Sequence, residues 1–299
     1  CDVYLRRKFH LIFGISASIT AYCVNLMPHT IFLDKLENTV AFYRRGVRLR
    51  INNKVKELCK EVMDDLKLPE NTQSLIKPFY VFGFHPFQAG TLNKMFGGII
   101  GIPSNFLFHD TADAAVEKLV INNKELDRMK EEANDLFNSL VLSKNAQKYV
   151  IAREILKIMS NEVYLSAGSL SCIVIIMTSI YSNITHKFNL YEKKASYRRI
   201  LYLLFTLVGC AFWVAFKDVV RCRIDASIDE NISQLGLNYI EGGKEYYEKE
   251  LKKNIALRSL MEKDGEKCYH IDGNEKRWGF VSLPLSERRR FFESRHLKL

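Results

Sequence analysis

Residues 163–181 read VYLSAGSLSCIVIIMTSIY, and residues 200–216 read ILYLLFTLVGCAFWVAF. Neither run contains a charged side chain, and as a helix the first would cover roughly 28 Å, close to the hydrocarbon thickness of a bilayer. The second is bounded by Arg198 and Arg199 before it and by Lys217 and Asp218 after it, with Tyr202 and Trp213 toward its ends. Charged flanks and amphipathic aromatics suit the two water–lipid boundaries. Two uncharged runs of this length, one behind the other, are rare as a buried pair in a globular protein. They read as a transmembrane helical hairpin.

A third run, FHLIFGISASITAYCVNLM at 9–27, is diluted by His10, Ser16, Ser18, Thr20 and Asn25 but is long enough to cross. Its leader carries Arg6, Arg7 and Lys8 against Asp2, a basic bias that suits mitochondrial import as well as a signal anchor. The expected organisation is a basic leader and N-terminal span over 1–32, a first soluble part over 33–162, the hairpin over 163–216 and a second soluble part over 217–299. Between the hairpin runs, residues 182–199 hold five basic side chains and one acid, whereas 33–162 hold 19 and 17 and 217–299 hold 17 and 15. The positive-inside tendency puts the short basic loop and the N-terminus on the inner side, so that both soluble parts share the opposite face.

Bulk composition decides less. The net charge of +10 comes from basic residues interleaved with acids and forms no stripe, so no nucleic acid is expected as a partner and the lipid bilayer is. Seven cysteines, at 1, 23, 59, 172, 210, 222 and 268, contain no C-x-x-C, which disfavours a disulfide-stapled secreted domain and a structural zinc site. No cofactor and no metal is expected.

In the soluble parts, residues 34–66 read as an amphipathic helix with a basic cluster at Arg44, Arg45, Arg48 and Arg50. Residues 77–85 alternate aromatic and β-branched side chains in the manner of a strand closed by Pro86, and 98–102 form a second short strand ended by Pro103. Glycines 97, 98 and 101 lack nucleotide-loop spacing and read as turn and packing residues. Ser143 caps a helix to about Glu162 on which Ile151, Ile155, Ile158 and Met159 make one apolar face. After the hairpin a helix to about Tyr239 is expected to break at Gly242-Gly243, with another over 244–263 capped by Gly265. Asp272-Gly273 signals a type I′ hairpin within 268–280. The fold class is a mainly α membrane protein with small β elements, an α+β soluble domain split by a transmembrane hairpin.

Lys77-Pro-Phe, Gly101-Ile-Pro-Ser, the run from Leu142 (LSKNAQKYVIARE), Asn254-Ile-Ala-Leu-Arg-Ser-Leu and Lys263-Asp-Gly-Glu-Lys, in this order around the hairpin, resemble the transmembrane protein 177 family over nearly the whole chain. The resemblance implies a multi-pass protein of the mitochondrial inner membrane that acts in cytochrome c oxidase biogenesis. Its implied partners are the assembly factor that chaperones subunit II, newly made subunit II itself and other assembly proteins. The family supplies no catalytic residues, so no catalytic, cofactor-binding or metal position is expected and the chain is not expected to be an enzyme.

Two alternatives come from other classes. Membrane-embedded zinc metallopeptidases also enter the membrane through a helix and a short hairpin, with H-E-x-x-H before it and an acidic segment after it. The matching positions are Arg153-Glu154-Ile155-Leu156-Lys157 and Ser227-Ile228-Asp229, where the carboxylates survive but the ligands are cations. Arginine and lysine do not coordinate zinc at neutral pH, and without zinc there is no activated water. That leaves a catalytically dead metallopeptidase-like scaffold that binds polypeptide, in which Glu154 is expected to pair at an exposed helix surface with Lys157 or Lys148 and to be dispensable. The other alternative is a lipid- or metabolite-handling membrane enzyme.

Overall fold

The computed structural model describes residues 2–92, 96–108, 110–116, 120–121, 124–126, 130–276 and 282–297. Helix α1 (Asp2–Leu26) ends in a 3-10 turn, Met27–His29, where Pro28 withholds a backbone donor. Helix α2 (Leu33–Val40) is followed by a tight hairpin of β1 (Tyr43–Arg44) and β2 (Val47–Arg48), and then by α3 (Asn53–Asp65), whose N-terminal amide at Lys54 is bonded by the Asn52 side chain. The single helix expected over 34–66 is therefore two helices and a hairpin. Arg45 and Gly46, at φ 54° and 78°, supply the left-handed pair that an I′ turn requires.

After α4 (Glu70–Gln73) come β3 (Ile76–Val81), β4 (Phe87–Thr91) and β5 (Gly97–Pro103). Strand β5 is central, parallel to β3 and antiparallel to β4, which the sequence pattern did not reveal. Glycines 97, 98 and 101 turn and pack as expected: Gly97 has φ 73°, a Cβ on Gly98 would sit 2.5 Å from Ile158 Cγ2, and one on Gly101 would sit 2.9 Å from Phe87 Cβ and Val81 Cβ. Helix α5 (Thr111–Val116), the short pair β6 (Val120–Ile121) and β7 (Lys124–Glu125), and α6 (Glu131–Leu140) complete the part before the hairpin, with α7 (Lys144–Met159). Ser143 accepts from the Ala146 amide as the expected cap, and Ile151, Ile155 and Ile158 are buried.

Helices α8 (Glu162–Lys187) and α9 (Ala195–Ser233) contain the two uncharged runs. Among the described residues three helical segments are long and apolar enough to cross a membrane, the third being Lys8–His29. At 39 residues α9 is roughly 58 Å long, about twice the hydrocarbon core, so its distal half continues as one rod into the extramembrane core. Helix α1 packs on α8 through small residues: Ser18 and Ser171 exchange hydroxyl-to-carbonyl bonds of 3.1 and 3.0 Å, and a Cβ on Gly14 would come within 3.0 Å of Thr178. Trp213 donates to the Ser166 carbonyl, and Lys217 lies over its ring at 4.7 Å, anchoring α9 where it leaves the bilayer.

Helix α10 (Leu237–Leu260) starts at Gly236, whose φ of 125° makes the turn from α9, and runs unbroken through Gly242 and Gly243. These two do not break the helix, as the sequence led us to expect; they let it touch its neighbours. A Cβ on Gly242 would lie 2.2 Å from the Asn145 carbonyl oxygen, and Gly243 abuts the Phe292 ring. Gly265 is not a cap but lies inside α11 (Lys263–Cys268), close against the Arg258 backbone. Residues 269–275 form a turn closed by one bridge, Tyr269 to Glu275. Only Gly273 is left-handed there, so the turn is not type I′, and residues 277–280 of the expected hairpin lie outside the described residues. The last helix, α12 (Leu285–His296), follows Pro284. One hydrophobic core joins Val62, Ile100 and Ile151, which precede the membrane hairpin in sequence, to Ile232, Tyr247 and Phe292, which follow it.

Candidate functional site: a charged cavity beside the membrane spans

Helix α7 carries Tyr149, Arg153 and Lys157 at four-residue intervals, and α9 carries Arg221, Asp225 and Asp229 at the same interval just beyond its membrane run. Such spacing places each trio on one helical face. The two faces meet each other and the side chains of α10 and α12. Arg288 grips Asp229 with two nitrogens, Nε to Oδ2 at 2.6 Å and Nη2 to Oδ1 at 2.7 Å, and Tyr149 donates to Asp229 Oδ1 at 2.6 Å. The Tyr149 and Tyr247 hydroxyls are 2.6 Å apart, and the Arg288 guanidinium lies 4.8 Å over the Tyr247 ring. Asp225 Oδ1 is 3.3 Å from Arg288 and 3.6 Å from Lys157, ion contacts without hydrogen-bond geometry.

Burial works against the Arg288 charge, but Tyr247, Tyr149 and Asp229 more than offset it and hold its pKa well above the ordinary arginine value. Lys157 is held below the ordinary lysine value by burial and by the neighbouring Arg153, against the pull of Glu154 and Asp225. The network borders a cavity of about 600 Å³ whose walls include Arg153, Lys157, Arg221, Asp225, Glu250 and Arg288. At its membrane end Arg221 pairs with Glu162, the first residue of α8, at 3.3 Å. Deeper in, Glu250 is bound through both oxygens by Lys253, at 2.6 and 2.7 Å.

The peptidase-like positions occupy this region without forming a peptidase constellation. Glu154 is 2 % exposed and accepts from Arg153 Nε at 2.8 Å, so the exposed pair expected with Lys157 or Lys148 does not form. Lys148 turns instead to Glu61 and Asp65, at 2.7 and 3.0 Å, and Lys157 to Asp225. Asp229 is committed to Arg288, Ile228 is buried in the core and Ser227 is exposed. Among the described residues no group of three His, Cys, Asp or Glu side chains converges as a metal site would require. Burial pushes the Cys59 thiol up to about 12, which removes it as a thiolate nucleophile at neutral pH. Sequence reading did not find Arg288, Asp225 or Tyr247. The available signal was the repeat of charge at 221, 225 and 229, which continues the α9 helix past its apolar run.

The spans, the split extramembrane core and this buried ion network define a multi-pass membrane protein whose soluble part is assembled from both sides of its hairpin. The family model for transmembrane protein 177 matches residues 85–277, and the chain belongs to that family. It is 33 % identical over 258 residues to transmembrane protein 177 of Danio rerio, covering 85 % of this chain and 82 % of the relative. The Mus musculus protein of that name is 28 % identical over 251 residues, 83 % and 80 % of the two chains, and the Homo sapiens one 28 % over 233, 78 % and 74 %. No solved structure matches.

Proposed function

We propose that this chain is a non-catalytic assembly or stabilising factor of the mitochondrial inner membrane. It acts in the biogenesis of cytochrome c oxidase subunit II by binding the assembly factor that chaperones it, with both extramembrane parts on one face. Family membership supports the role that the resemblance implies. The observation that carries the non-catalytic reading is that Arg153 and Lys157 stand where a metallopeptidase has its ligands, and that Arg153 is ion-paired to Glu154. Guanidinium and ammonium groups offer hydrogen-bond donors and no lone pair for a metal.

The test is removal of the protein from cells and restoration with Glu154→Ala, which takes away the one surviving catalytic-type carboxylate. Subunit II should fall on removal, should co-purify with the chain after mild detergent extraction, and should recover in proportion to the level of variant protein. Failure of subunit II to recover at normal variant level would revive an enzyme. Asn183-Ile-Thr and Asn231-Ile-Ser are glycosylation sequons, and a mobility shift on glycosidase treatment would contradict the mitochondrial location.

The polypeptide-binding scaffold stays as a second reading because α7 and the distal part of α9 pack together, with Tyr149 bonded to Asp229. Crosslinking of nascent polypeptide to the cavity, with no capture of an assembly factor, would favour it.

A further inference from the structure

Three cations in the cavity wall have donors that no protein group uses. Arg153 bonds Glu154 through Nε alone, and Arg221 bonds Glu162 through Nε alone. Among the described residues, the terminal guanidinium nitrogens of both, and the Lys157 ammonium, make no hydrogen bond, the nearest carboxylate to Lys157 standing at 3.6 Å. Most acids of the wall are engaged. Glu250 is bound by Lys253, Glu162 by Arg221 and Asp272 by Asn274, and Glu275 has a partner as well, while Asp225 Oδ1 stands 3.3 Å from Arg288 and 3.6 Å from Lys157 without a hydrogen bond. Burial, and after it the neighbouring Arg153, hold the Lys157 pKa down although Glu154 and Asp225 oppose them, so two like charges stand close together in a partly dehydrated wall that a further anion would relieve.

We propose that this cavity is a phosphate-binding site for a phospholipid headgroup or a soluble phosphate ester, with Arg153, Lys157 and Arg221 as its ligands. A carboxylate brings two oxygens to three cations, whereas a phosphate brings up to four and matches the guanidinium fork. The site also lies at the height where phosphates are concentrated. Arg221 is five residues beyond Phe216, the end of the apolar run, or roughly 7.5 Å along the helix axis, the depth of a headgroup layer.

The test uses the purified full-length chain in a non-ionic detergent and measures binding of dihexanoyl phosphatidic acid, inorganic phosphate and acetate. Lys157→Gln and Arg221→Gln should each weaken phosphate or phosphatidic acid binding by about tenfold or more, the loss of one charge-assisted hydrogen bond, while Lys157→Arg retains it. Binding of phosphatidic acid without inorganic phosphate identifies the lipid source, and equal binding of both identifies a soluble ester. Absence of binding to the parent chain, unchanged binding in both variants, or acetate bound as tightly as phosphate would overturn the site. Acetate binding would point instead to an acidic polypeptide. Should Lys157→Gln fail to fold, Arg221→Gln still decides, since its side chain is 30 % exposed on the cavity rim. The measurement needs no assembly partner, so its result is independent of the role in subunit II biogenesis.

Discussion

Ile151, Ile155 and Ile158 on α7 are no more than 1 % exposed, whereas Leu203, Leu204 and Leu207 on α9 are 54 to 60 % exposed, although both sets are apolar and both lie on helices. The extramembrane core turns its large aliphatics inward because water drives them there. In the bundle the lipid tails are as apolar as leucine, so the large side chains face out and the helices meet through Gly14, Ser18 and Ser171. Polar groups follow the same division. Outside the membrane they are full charges tied in pairs, and inside it they are hydroxyls bonded to a neighbouring backbone. Cohesion in one region rests on burial and ion pairing, in the other on close approach.

Four substitutions probe that contrast. Arg288→Ala should have the largest effect, because it leaves Asp229 and Asp225 buried without their guanidinium; removing one partner of a buried pair costs about 3–5 kcal/mol. Thermal unfolding of the detergent-solubilised protein measures it, and a loss below about 1 kcal/mol would mean that the network is decoration on a core held by other contacts. Ile175→Arg places a charge on the 44 % exposed face of α8 and should weaken insertion by about 2.5–3.5 kcal/mol, read from alkaline carbonate extraction. A variant that inserts as the parent does would show that this face is not in lipid.

Glu154→Gln comes third. It replaces the charged acceptor of Arg153 by a neutral one inside the core, for about 1.5–3 kcal/mol, and should lower steady-state protein level. Normal level and melting temperature would return Glu154 to the dispensable surface pair expected from sequence. Ser18→Ala is the smallest, about 0.6 kcal/mol for one interhelical hydroxyl in a bilayer, measured as altered α1–α8 crosslinking in vesicles. An effect as large as that of Arg288→Ala would erase the distinction between the two regions.

The membrane part was legible in sequence because absence of charge over a bilayer's thickness is a local property of the chain. Ser143 as a cap, and the strands near 77 and 98, were legible for the same reason. What escaped depends on neighbours distant in sequence. Gly242 and Gly243 carry a helix penalty of about 1 kcal/mol each, which predicts a break, but their missing side chains admit Asn145 and Phe292, and packing prevails. Arg288 looked like one basic residue in a run of three until α12 brought it to Asp229, 59 positions away. Glu154 reads from its helix spacing as an exposed partner of Lys157 or Lys148, but it is 2 % exposed and accepts from Arg153, whose guanidinium lies over the Tyr246 ring of α10.

The order of synthesis adds a consequence to the split core. Tyr149 leaves the ribosome first, the hairpin must then cross and recross the bilayer before Asp229 appears, and Arg288 follows 59 positions after that. Until α12 docks, two aspartates wait on α9 without the Arg288 guanidinium, and the apolar faces of α7 and α10 have no Phe292 between them. A chain in which only one arm of the hairpin inserts leaves its halves on opposite sides of a membrane and cannot close this centre at all. Closure of the core thereby reports that both arms of the hairpin have inserted.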